Sequence, residues 1–197
     1  MIRNISLQTP HGALHGRLDL PANPRGLIVL TRAHHAPADT AIAANLAARG
    51  YALLAMELLT TQEAHFVDAT QNVPRLAQRL LDVLDLARLD GDMENLPLAI
   101  FATGDSTPAA IRAAAQRDTQ VKALACHGGL IDRAGLQSLD LLVAPLLMLF
   151  DAEDDIAKAA YMRATIHLRA PHEMHTLGPA EDPVLRVAAW FGLHLHD

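Results

Sequence analysis

Residues Leu96–Gln116 (LPLAIFATGDSTPAAIRAAAQ) read as a short apolar strand, a turn rich in Gly, Asp, Ser, Thr and Pro, and then an Ala-rich helix. A strand–turn–helix junction puts its turn at the carboxyl end of a strand, the edge of an α/β sheet where ligands bind and where a nucleophile is exposed. Asp105 and Ser106 are the residues of this turn that could do chemistry. Either could equally cap the helix that begins near Pro108, by accepting a hydrogen bond from a backbone N–H that the first turn leaves without a partner. For Ser106 the cap is the better-supported reading.

Several of the eleven histidines follow apolar runs of strand length. His34 and His35 follow the run LIVL, His65 lies after YALLAM, His127 directly follows VKALAC, and His175 lies in the last loop. All should face the carboxyl edge of the sheet, where Asp154 and two or three imidazoles could hold a transition metal or an anionic ligand. No compact ligand motif such as HExxH supports the metal form. The plainer alternative is that loop histidines are solvated or bond a nearby carbonyl. Cys126 could replace a serine as nucleophile beside His127, but a lone cysteine ending an apolar strand is more often an inert buried residue. Glu153 and Asp155 are expected to cap the helix after the acidic turn.

The elements that must position these groups follow from periodicity. Ile2–Thr9 and Ala13–Leu20 alternate in part and flank Pro10-His11-Gly12, which predicts an antiparallel hairpin at a sheet edge. Leu27–Leu30 is a continuous apolar run, the mark of a strand buried on both faces, and Ala38–Arg49 is a helix closed by Gly50. Tyr51–Met56, Val121–Cys126, Val143–Phe150 and Thr165–Ala170 read as further strands. Pro74–Leu89, Asp154–Arg163 and Val184–Leu195 read as helices, with a loop over Pro171–Pro183. Strands and helices alternate from residue 27 onwards. After an N-terminal hairpin, that alternation predicts a three-layer α/β domain with a mostly parallel sheet.

The 197 residues are 51% hydrophobic and 19% charged, with a formal net charge of −6, and suit a single domain over residues 1–197. No run of Lys or Arg offers a footprint for phosphate backbones, so neither nucleic acid nor an acidic membrane is an expected partner. No apolar stretch approaches the ~20 residues that span a bilayer, and the N-terminus lacks an uninterrupted apolar core of the secretory type. A single cysteine excludes an intrachain disulfide. These features lead us to expect a cytoplasmic protein.

The order of elements, with RGLIVL, ARGYALLAMELLT, LPLAIF, VKALACHGG and APLLMLFDAEDD in their places, resembles the α/β-hydrolase fold and within it the small dienelactone-hydrolase-like branch. The likeness covers nearly the whole chain. It implies a serine nucleophile on the turn after LPLAIF, an acid two strands later and a histidine in the last loop. Asp154 matches the acid and His175 the base. The Gly-x-Ser-x-Gly pattern, laid on without a gap, puts Gly104 in the nucleophile's slot, and Ser106 fills it only if the junction shifts by two residues. Where this branch carries His-Gly to face an oxyanion, the chain has Arg32-Ala33-His34-His35. Glu57 stands where the branch commonly carries an acidic residue. The implied ligand pocket is therefore Arg32, Ala33, His34, His35, Glu57, Asp105 and His127. Three functions follow as expectations: hydrolysis of a small ester or lactone by Ser106, His175 and Asp154; a non-catalytic binding or regulatory descendant; or a metal or anion site on the carboxyl-edge histidines. No cofactor is implied.

Overall fold

Continuous apolar runs become the middle of one sheet. The computed structural model describes residues 1–33 and 37–195, with only the backbone at 37–39. The strands are β1 (Ile2–Thr9), β2 (Gly12–Asp19), β3 (Leu27–Arg32), β4 (Ala52–Glu57), β5 (Leu98–Thr103), β6 (Val121–His127), β7 (Leu146–Phe150) and β8 (His172–Thr176). They pair in the order β1-β2-β4-β3-β5-β6-β7-β8. The β1–β2 and β2–β4 pairs are antiparallel, and every other pair is parallel.

Among the described residues six α-helices cover the two faces: α1 (Pro37–Ala48), α2 (Val73–Leu89), α3 (Thr107–Gln116), α4 (Leu136–Leu141), α5 (Asp155–Ala164) and α6 (Pro183–His194). Buried residues of α2 to α5 share one core with Leu14, Leu18, Leu54 and Ile100, whereas Leu46 of α1 and Val187 and Phe191 of α6 share another with Leu30, Leu53 and Phe101. Neighbours in a strand thus feed opposite cores, as the two-residue repeat of a strand requires. The result is the expected three-layer arrangement. No helix among the described residues is long and apolar enough to cross a membrane.

The chain passes from β3 to β4 on one side and then returns to β5 on the other side of β3. This reversal of direction opens a crevice at the carboxyl ends of β3 and β5. The turn at residues 104–106 and the end of β3 at Arg32 therefore meet at the sheet's natural ligand edge.

The last strand differs from the reading of the sequence. Residues 165–167 form a hydrogen-bonded turn and 168–170 no strand: the Thr165 hydroxyl donates to the Met162 carbonyl at 2.8 Å, and the His167 N–H donates to the Ala164 carbonyl at 2.9 Å. The strand is instead HEMHT, paired with β7 from Leu146 beside His172 to Phe150 beside Thr176. As an edge strand with exposed residues it needs no apolar run, so periodicity could not find it. His175 consequently lies within a strand and not in a loop. Helix α4, too short to show a period, went unread.

One buried charge pair fixes the loop between β4 and α2. The Arg79 guanidinium, 3% exposed, donates to both carboxylate oxygens of Glu63 at 2.6 and 2.7 Å and to the Leu58 carbonyl at 2.7 Å. The Arg79 hydrogen bonds, with a further one from the Thr60 N–H, hold the Glu63 carboxyl down at about 2. A depressed carboxyl contributes stability that is present above its ordinary value of 4.5 and lost as pH falls toward 2. Glu63→Gln is expected to lower the unfolding free energy at neutral pH by about 1–3 kcal/mol. Urea titrations should also show a shallower acid-side loss of stability in this variant than in the wild type.

Candidate functional site

The junction after β5 keeps the shape of a nucleophile elbow. Thr103 is extended, Gly104 turns the chain with φ of +54°, and a short 3-10 turn over Gly104–Ser106 leads into α3. A side chain added at Gly104 would meet no atom within 4 Å, so the slot is open as well as bare. The left-handed φ is the backbone state that glycine adopts most readily. The next turn packs tightly beneath it: a Cβ on Gly129 would lie 2.2 Å from the Gly104 carbonyl oxygen, so only glycine fits there.

Ser106 does not occupy the slot. It is fully buried, and its Oγ accepts hydrogen bonds from the Thr103 N–H and from the Thr31 hydroxyl, both at 3.1 Å. Its own proton goes to the Thr103 carbonyl at 2.9 Å or the Thr31 carbonyl at 3.0 Å. With donor and acceptors engaged, the hydroxyl acts as a clip between β3 and the turn. The two-residue shift that would have made it a nucleophile is not adopted, because the flanking strand and helix hold the ungapped register.

The other two groups of the expected triad are also committed. Asp154 caps α5, its Oδ1 accepting from the Ala157 N–H at 3.1 Å. Asp155 lies in the first turn of that helix and caps nothing. His175 Nε2 lies 2.9 Å from both carboxylate oxygens of Glu181, which also accepts from Arg186 at 2.7 Å. His175 first, then Arg186 and the Gly178 N–H, hold the Glu181 carboxyl down at about 2. The structure therefore pairs His175 with Glu181, where the sequence pointed to Asp154.

Of the expected pocket residues, Arg32 and Glu57 stand side by side at the ends of β3 and β4. Ala33 packs against the larger core. His34 and His35 lie outside the described residues. Asp105 is exposed and accepts a long hydrogen bond from Gln71 at 3.4 Å, and Gln71 is in turn held by Arg133. His127 sits beside Thr103 in the sheet, one residue before the slot, and its Nε2 is 2.9 Å from Asp151 Oδ1. Asp151 and Glu181 are the partners that sequence reasoning missed. Asp151 did carry a signal, as the first polar residue after the run that forms β7; Glu181 carried none.

Among the described residues, no three His, Cys, Asp or Glu side chains converge to hold a metal ion. His65, one of the five carboxyl-edge histidines, bonds the Thr61 carbonyl through Nδ1 at 2.9 Å. Cys126 is fully buried, and burial pushes its thiol up to about 12, against a smaller opposing effect of the Thr107 hydroxyl. Such a thiol carries almost no thiolate near neutral pH. What the edge offers is an open bare elbow beside a carboxylate-oriented imidazole, an arrangement able to hydrogen-bond a small polar ligand. Ser106→Ala, which strips the clip and leaves buried Thr31 and Thr103 groups short of a partner, should cost about 1–3 kcal/mol in urea unfolding. A loss of only a few tenths would contradict the clip.

No family model matches the chain. Two Mycobacterium tuberculosis proteins named "Putative phosphoribosyl transferase" are 29% identical over 194 residues, which is 91% of this chain but 44% of each relative. The chain thus spans less than half the length of the curated relatives it matches. Among solved structures, a dienelactone hydrolase from Anabaena variabilis superposes with a TM-score of 0.88 at 24% identity, covering 100% of this chain and 99% of that one. A cold-adapted esterase from an Arctic intertidal metagenomic library gives 0.76 at 13% identity over 99% of this chain and 94% of that one. With its strand order, elbow and two-faced helix layers, the chain has the α/β-hydrolase fold, in the compact form that the Anabaena dienelactone hydrolase also adopts.

Proposed function

We propose that this chain is a single-domain, cytoplasmic α/β-hydrolase-fold protein in which serine-dependent hydrolysis of small esters or lactones is impaired or lost, and which binds a small ligand at its carboxyl edge. The observation that carries this reading is Gly104: the elbow has the backbone of a nucleophile turn, with φ of +54°, and no side chain to attack with. A nucleophile must also reach a base. The nearest serine along the chain, Ser106, is spent on Thr31 and Thr103, and His175 is spent on Glu181. The name of the Mycobacterium proteins adds no activity here, because this chain matches under half of each.

A second reading, an active carboxylic-ester hydrolase, is favoured by the likeness of fold to a dienelactone hydrolase and to esterases. Labelling separates the two. Purified protein treated with a fluorophosphonate should carry no adduct by intact-mass spectrometry, and its turnover of short p-nitrophenyl esters should equal that of Ser106→Ala. A serine adduct at Ser106, with turnover lost in the alanine variant, would restore the hydrolase reading.

A further inference from the structure

Away from the elbow, between α1 and the sheet, lies a cavity of about 330 Å³. Strand register explains its lining. Across the antiparallel β2–β4 pair Arg17 faces Ala55 and Asp19 faces Leu53, and along the parallel β3–β4 pair Leu30 stands beside Ala55 and Arg32 beside Glu57. Alternation then sends these side chains to the α1 face, opposite to Leu14, Leu18 and Leu54 in the other core. Leu30, Leu53 and Ala55 make an apolar floor, and among the described residues α1 offers Thr40, Ala43 and Ala44 above it.

The charges around this floor are of both signs. Among the described residues, the side chains of Arg17, Asp19 and Glu57 form no hydrogen bond or ion pair, with one another or with any other group. Arg17 is exposed and Asp19 and Glu57 are half-buried, so a ligand of one charge would pair with one sign and be repelled by the other. A ligand carrying both signs compensates each. Arg17 and Glu57 are one step of the strand repeat apart along the groove, about 7 Å, a gap that side chains of their length close onto the two ends of one small head group. The volume lies at the low end of the range for small-molecule sites, about 300–1,000 Å³, and among the described residues no Phe, Tyr or Trp lines it to stack a flat ring.

We propose that this groove binds a zwitterion of the α-amino-acid type with an apolar side group, its carboxylate on Arg17, its ammonium on Glu57 and its side group over Leu30, Leu53 and Ala55. The groove shares Arg32 and Glu57 with the carboxyl edge but is lined by neither Gly104 nor Ser106, and the inference holds whether or not the elbow hydrolyses esters.

L-leucine titrated into the full chain and followed by amide NMR is the test. Saturable shifts should map to His15–Asp19 of β2 and Leu53–Glu57 of β4. Isocaproate, which lacks the amine, and isoamylamine, which lacks the carboxylate, should each bind about tenfold more weakly or worse. Arg17→Gln and Glu57→Gln, both on the open face, should each weaken leucine by a similar factor. The proposal is overturned if leucine gives no saturable shifts in these strands, if either single-charge analogue matches leucine, or if both variants bind leucine like the wild type.

Discussion

A single buried hydroxyl, Ser106 Oγ, ties the end of β3 to the turn after β5, and the geometry of the ligand edge depends on that tie. It satisfies the Thr103 N–H, takes the Thr31 hydroxyl and returns its own proton to a backbone carbonyl. Buried polar groups that are all satisfied rigidify their surroundings, and one left unpaired is costly. Ser106 therefore joins the end of β3 to the turn while itself fully buried. Gly104 keeps the left-handed step, and Gly129 packs against its carbonyl.

Several charged groups along the same edge are satisfied close to home. Asp154 is used by its own helix, and His175 by a carboxylate six residues further on. Glu63 and Arg79 lock the loop between β4 and α2. The fold is held by two apolar cores and by such local pairs, none of which requires a catalytic triad. Fold and chemistry are separable for this reason: the sheet and its layers stand with or without a nucleophile on the turn.

Much of this architecture was legible because it rests on burial. The runs at Leu27–Leu30, Tyr51–Met56 and Val121–Cys126 are apolar on both faces and read at once as central strands. The slot at Gly104 was legible for a related reason: LPLAIF before it and AAIRAAAQ after it favour the ungapped register over a two-residue shift, and in the structure β5 ends at Thr103 with Gly104 in the left-handed step. Strand β8 was not legible, because an exposed edge strand has no pattern to betray it, and the position of His175 was misread with it. Pairings such as His127 with Asp151 and His175 with Glu181 depend on which strand ends lie side by side and on which way side chains turn. Neither is written in the local sequence. The groove under α1 was equally hidden, since Arg17 and Asp19 join Arg32 and Glu57 only through the antiparallel docking of β2 on β4.

Everything proposed for the elbow rests on its register, and the unfolding free energy of Gly104→Ala tests that register most directly. In the left-handed turn the new methyl meets no neighbour. The cost is then backbone strain alone, and the variant should be less stable by about 1–2 kcal/mol. Were the junction shifted so that Gly104 took an ordinary right-handed or extended conformation, alanine would instead stabilise the protein by about 0.4–1 kcal/mol through the unfolded chain. A gain of that size would free Ser106 to enter the slot and would contradict the ungapped register of the elbow.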